Sequence, residues 1–227
     1  MLSLSGCFKR EPSDDIFAFR LPAVVQFNSS MELVINSKVG SFLAPELEEK
    51  LFTDVNVGDL IYTVFSVNVS LPQSPSGHFT AYNISWAKVY TKSAIATEGG
   101  ASETGDYNFP IKDIAILEFW NNYAYFAIEH NAPSGQLFTY EMTYDINETG
   151  NVPTVYLRAK KTGDEISGNN ERIAMFFAFD ITELELKFKN SDNILYINIM
   201  IKTGVDSDGN EVFSNFIYNP VFFVFDD

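Results

Sequence analysis

Short runs of β-branched and aromatic residues recur along almost the whole chain, each closed by turn-forming residues. A helical repeat of apolar side chains is nearly absent. With 21 Phe and 11 Tyr in 227 residues, the runs supply enough apolar surface for a sizeable core. Strands are predicted over 22–27, 31–35 and 60–69, then over 79–90, 111–120, 123–130, 137–144, 154–160, 173–179, 194–202, 212–218 and 221–225. The later ones follow at intervals of about a dozen residues, the spacing of a sandwich or barrel. The expected fold class is all-β. Residues 44–52 are expected to form one or two helical turns, and Asp180 to Leu184 a single turn crossing between sheets.

The connections point to antiparallel pairing. Asn121-Asn122 suits a two-residue hairpin because Asn tolerates positive φ. Ala132-Pro133-Ser134-Gly135 suits a tight turn, and residues 206–210 a hairpin tip. In the strand from Tyr123 to His130, alternation puts Ala124, Phe126, Ile128 and His130 on a buried face. Tyr123, Tyr125, Ala127 and Glu129 fall on a half-exposed one. The sharpest composition shift is Leu71-Pro-Gln-Ser-Pro-Ser-Gly77, read as a linker. It predicts a leader and tether over 1–20, a small barrel-like β module over 21–77, and an antiparallel β-sandwich over 78–227.

Cys7 is the chain's single cysteine, so no internal disulfide is available. Its context, Leu4-Ser5-Gly6-Cys7, matches a bacterial lipobox: an aliphatic residue and two small ones let an extended chain enter the signal peptidase. The expectation is a diacylglyceryl group on the Cys7 sulfur, followed by a polar tether over residues 8–15. Only six residues precede Cys7, so the basic and apolar parts of such a leader are expected upstream of Met1. The implied location is the cell envelope, on the outer membrane of a Gram-negative bacterium, facing either the periplasm or the exterior.

A net charge of −15 argues against a nucleic-acid partner. The two histidines, His78 and His130, have no cysteine or second histidine at ligand spacing, so neither a metal nor another cofactor is expected. No nucleophile elbow, Walker loop or dinucleotide fingerprint occurs, and no catalytic residue is assigned. Glu118, Glu129 and Glu141 lie on neighbouring predicted strands and are the only acids offered as a glycosidase set; solvated strand faces explain them as well. Asp206, Asp208 and Asn210 could give a weak calcium loop, although Gly209 stands fourth where an EF-hand has it sixth. Aromatic stacking on a sugar ring is the remaining binding chemistry. Trp86 and Trp120 are expected in the core, which leaves Tyr123 and Tyr125 as the candidate ligand-binding residues.

A lipobox precedes a short β-rich segment closing in Gly58-Asp-Leu-Ile-Tyr62. Asn122-Tyr-Ala-Tyr-Phe-Ala-Ile128 and Gln136-Leu-Phe-Thr-Tyr140 follow. Thr154-Val-Tyr-Leu-Arg-Ala159, Ala178-Phe-Asp-Ile-Thr-Glu-Leu184 and Ile194-Leu-Tyr-Ile-Asn-Ile199 complete the series. The order of these parts resembles the NigD-like lipoproteins of gut Gram-negative anaerobes. After Ala159 the family's small residues are replaced by Lys160-Lys-Thr-Gly-Asp164. The resemblance implies an OB-like barrel ahead of a β-sandwich, and a non-enzymatic envelope lipoprotein that binds or scaffolds. Beyond the membrane, its partner would be a glycan or another envelope protein. Two rival readings stand beside it: a carbohydrate-binding accessory of a surface polysaccharide system, and a carboxylate-dependent glycoside hydrolase.

Overall fold

The computed structural model describes residues 15–225. Cys7 and its lipobox lie outside them. The all-β expectation holds, and the chain parts into two compact units between Lys88 and Val89.

The first unit is a closed barrel of five strands: β1 (Ile16–Phe27), β2 (Leu33–Ser37), β3 (Gly40–Leu43), β4 (Leu60–Asn68) and β5 (Phe79–Lys88). They close in the order β1-β2-β3-β5-β4, so no edge is left open. Inward side chains such as Ala23, Val25, Leu33, Ile35, Ile61, Phe65, Val67 and Ala81 form its core. Phe19, Phe42 and Phe65 stack against one another at 5.1–5.5 Å between ring centres. A four-residue helix, α1 (Pro45–Glu48), follows β3 and buries Leu47. Its proline suits a first helical turn, where the missing N–H has no partner to lose.

The expected break at 77/78 is displaced by eleven residues, because β5 belongs to the barrel. The Pro- and Ser-rich stretch is the β4–β5 connection, closed by Ser74 N–H on the His78 carbonyl (2.8 Å) and by Ser76 Oγ against His78 Nδ1 (3.1 Å). Turn chemistry and linker chemistry use the same residues, and composition alone does not separate them.

The second unit is a two-sheet sandwich. One sheet runs in the order β6 (Tyr90–Ser93), β12 (Asn170–Asp180), β9 (Tyr123–Pro133), β8 (Asp113–Trp120). The other runs β14 (Glu211–Asn215), β13 (Ile194–Val205), β11 (Thr154–Thr162), β10 (Leu137–Asp145), β7 (Ile95–Thr97), with β15 (Val221–Val224) also paired to β13. The core lies between them: Ala124, Phe126 and Ile128 from β9 and Phe177 and Phe179 from β12 meet Tyr140, Met142, Leu157 and Ile199. The sheets are mixed rather than purely antiparallel, since β10 with β7, β11 with β13 and β12 with β6 run parallel.

Asn121 and Asn122 both take positive φ (54° and 64°) in the β8–β9 hairpin, as expected. Helix α2 (Thr182–Phe188) crosses from β12 to β13 and buries Leu184 and Phe188 between the sheets. The turn after Pro133 joins strands of different sheets instead of closing a hairpin. No helix among the described residues is long and apolar enough to cross a membrane.

Candidate functional site

The sequence-predicted residues do not gather. Tyr125 is 1% exposed and its hydroxyl has no hydrogen-bond partner among the described residues. Burial first, and then neighbouring Tyr123, push its phenol well above the usual range. A ring enclosed in this way offers no face to a sugar, so Tyr125 is withdrawn as a surface platform. Tyr123 is half-buried, with its ring 6.3 Å from that of Tyr125.

The three carboxylates also separate. Glu141 lies on β10, in the sheet opposite the one that carries Glu118 and Glu129. The β8–β9 register places Glu118 beside Tyr125 and Glu129 beside Asp113, four residues apart along β9. That is roughly 13 Å at strand rise, against about 5–9.5 Å for glycosidase pairs. Glu129 is ion-paired to Arg172 and Glu118 accepts the N–H of Phe119 (3.1 Å). Asp206 turns inward: its oxygens accept the N–H groups of Asp208 and Asn210 and the Asn210 side-chain amide, at 2.8–3.0 Å. These bonds close the hairpin tip and hold the Asp206 carboxyl below the usual range.

His130 is a core residue. Nδ1 lies 3.0 Å from the Pro110 carbonyl, which only accepts, so Nδ1 carries the proton and Nε2 accepts from the Tyr140 hydroxyl (2.9 Å). Its ring stacks on Phe138 at 4.1 Å. Burial lowers its pKa, and the Pro110 carbonyl recovers only part of the shift.

Sequence reasoning missed a charge cluster on the outer face of the larger sheet, in which two buried cations share a partly exposed carboxylate. Arg158 donates from Nε and Nη2 to both oxygens of Glu211 (2.9–3.0 Å), from Nη1 to Thr143 (2.7 Å), and from Nη2 to the Gly100 carbonyl (3.0 Å). Lys202 donates to Glu211 (2.8 Å) and to the Tyr107 carbonyl (2.8 Å). Gly100 and Tyr107 belong to the segment that follows β7 and roofs this face. Gly100 has φ +69°, and a Cβ there would stand 2.4 Å from the Tyr156 ring. Each side-chain nitrogen of Arg158 and the Lys202 ammonium is engaged within the fold. The cluster's role is to bind the roof to the sheet.

A concave feature lies elsewhere, at the open side of the sandwich. A groove of about 540 Å³ separates Asp113–Ile116 of β8 from the segment Phe216–Phe222. Its far wall exposes Ile217 (81%), Tyr218 (71%) and Phe222 (61%), an unusual concentration of solvated apolar surface. Its near wall is the last strand of a sheet, with no strand paired to its outer side among the described residues. There the N–H of Ile114 bonds to the Asp113 carboxylate (2.8 Å) and that of Phe119 to the Glu118 carboxylate (3.1 Å). Each donor is satisfied by the side chain just before it, as an edge must manage when no neighbouring carbonyl reaches it. A bulge between Ile116 and Glu118 interrupts the same edge.

No family model matches this sequence, and no curated protein matches it. Solved structures share the fold. An uncharacterised protein from Parabacteroides merdae ATCC 43184 is similar at 16% identity and TM-score 0.60, over 87% of this chain and 95% of that one. A NigD-like immunity protein from Bacteroides caccae ATCC 43185 is similar at 12% identity and TM-score 0.57, over 92% and 97%. A suspected lipoprotein from Bacteroides fragilis NCTC 9343 is similar at 13% identity and TM-score 0.55, over 89% and 99%. At these identities the likeness is one of fold, and a NigD-like protein is among those that share it.

Proposed function

We propose that this chain is a non-enzymatic binding protein held at the cell envelope by a lipid on Cys7. The groove beside β8 carries the binding half of the reading: it is concave, rimmed by exposed apolar side chains, and bounded by a strand edge. The carboxylates that would have served hydrolysis are separated and engaged, which favours binding over catalysis. Leu4-Ser5-Gly6-Cys7 carries the tethering half, and a suspected lipoprotein and a NigD-like immunity protein among the fold relatives support it. The outer membrane of a Gram-negative bacterium is the proposed location. The barrel is read as OB-like, five strands closing with β5 between β3 and β4.

Metabolic labelling with radioactive palmitate tests the tether. The full-length gene product is expected to take up label and to enter the membrane fraction, and Cys7→Ala to lose both. Equal labelling of the Cys7→Ala variant would end this reading.

A further inference from the structure

We infer that the free edge of β8 is a docking site for an extended polypeptide segment in which apolar and basic residues alternate. The inference deepens the binding reading above and rests on it.

The β8–β9 register fixes which way each edge residue faces. Ile114 and Ile116 stand beside Ile128 and Phe126, whose side chains fill the sandwich core. Asp113 stands beside Glu129, and Glu118 beside Tyr125, on the outer face. A strand added along this edge would alternate in the same way. Its inward residues would enter the groove, against Val221 and Phe222 on the far wall. Its outward residues would meet Asp113 and Glu118, with Glu129 one strand further in. Asp113 and Glu118 on the outer side, with Glu129 already ion-paired to Arg172, and apolar lining on the inner side specify opposite chemistries for successive residues of the guest.

The backbone supplies the affinity. An incoming carbonyl replaces the Asp113 carboxylate on Ile114 N–H, and a second replaces the Glu118 carboxylate on Phe119 N–H. Each exchange keeps the edge donor satisfied, and the exposed Asp113 carboxylate is then turned outward to meet a cationic side chain. Main-chain bonds then hold the guest while alternate side chains select it, the logic of strand addition. A second copy of this chain fits poorly in that place. Edge-to-edge pairing would set Asp113 and Glu118 against acids of another molecule that also carries −15.

Fluorescence anisotropy of a labelled, end-blocked peptide of four Val-Lys repeats, titrated with the full 227-residue chain, tests the proposal. Saturable binding is expected, with amide hydrogen exchange slowed at Ile114 and Phe119. The double variant Asp113→Lys, Glu118→Lys reverses the charge at one exposed and one half-buried edge position and is expected to lose at least tenfold in affinity, while gaining binding to a Val-Glu repeat. A block peptide of four Val then four Lys is the control for charge alone. The inference is overturned if the Val-Lys repeat does not bind, if the block peptide binds equally well, or if protection falls away from β8. Protection elsewhere would leave the general binding reading standing while ending this one, and neither result touches the palmitate test.

Discussion

Arg158, buried in the outer face of the larger sheet, holds Glu211 through three hydrogen bonds from a strand 53 residues distant. Glu211 also receives Lys202, so one carboxylate serves two buried cations. Glu141, beside Arg158 in the β10–β11 register, adds a second carboxyl group to this otherwise cationic patch. Removing the Glu211 charge leaves Lys202 with the Tyr107 carbonyl and Arg158 with Thr143 and the Gly100 carbonyl, and breaking such a partly buried pair costs up to about 3 kcal/mol. Glu211→Gln is therefore expected to lower the urea midpoint strongly. Arg158→Met, which removes the charge and keeps much of the volume, should be milder. Equal losses would show that the cluster acts through shape alone.

The same carboxylate gives an acid dependence. Burial raises the Glu211 pKa, but hydrogen bonds from Arg158 and Lys202, with their charges, outweigh it and hold the folded value below the ordinary one. A lowered folded pKa means stability that is complete above about 4.3, the unfolded glutamate value, and is lost as pH falls through the folded value. Glu211→Gln should flatten this part of the urea-midpoint profile below pH 4.5.

His130 adds a second window at higher pH. Its folded pKa lies below the ordinary imidazole value of about 6.5, so the unfolded chain takes up the proton first on acidification. Its contribution is complete above about 6.5 and declines as pH drops toward the folded value. Protonation would also place an N–H on Nε2, which now accepts from Tyr140. Between pH 7.5 and 5 the wild type should lose stability, with a slope of up to about 1.4 kcal/mol per pH unit. In His130→Gln that slope should be smaller, read from urea midpoints at both pH values.

Much of the sandwich could be read before any coordinates. Asn121-Asn122 marked its hairpin, because few other residues accept two successive positive φ values. Ala124, Phe126, Ile128 and His130 shared a face by alternation alone and are all buried. Strands β6 and β7 escaped, being four and three residues long and paired in parallel with distant strands. Runs so short carry no usable period. The charge cluster escaped for a related reason: nothing local to Arg158 announces Glu211 or the Gly100 carbonyl. The groove depends on which strand ends a sheet, a fact of topology and not of composition. Tyr125 lies on the face read as half-exposed and is itself buried, because alternation tells the two faces of a strand apart but not which positions along one face are covered.

Tyr125 itself invites a substitution that stabilises. Its hydroxyl is buried without a partner among the described residues, and such a group forfeits the hydrogen bonds it makes to water when unfolded. Tyr125→Phe keeps the ring and removes the orphan. A gain of about 1 kcal/mol is expected, or roughly 2–4 °C in Tm for a protein of this size. A loss of stability would mean that the hydroxyl has an acceptor when the protein is in water.

The barrel carries its own marker in Glu46. This residue of α1 turns its carboxylate onto β5, where Oε1 accepts the N–H of Asn83 and Oε2 that of Ile84, each at 2.9 Å. Asn83 has φ of +55° and sits where the β4–β5 register slips, so the ladder leaves these two donors without strand partners. Helix α1 is too short to be stable alone and depends on contacts of this kind. Glu46→Ala releases both donors and should cost about 1–2 kcal/mol. Glu46→Gln, which retains one acceptor oxygen, should cost less. Because the chain parts at Lys88, the effect should be confined to the first unit. Hydrogen exchange should quicken about tenfold or more at Asn83 and Ile84 in Glu46→Ala, while the amides of Phe126 and Leu157 keep their wild-type rates. Faster exchange at Phe126 as well would show that the two units unfold as one.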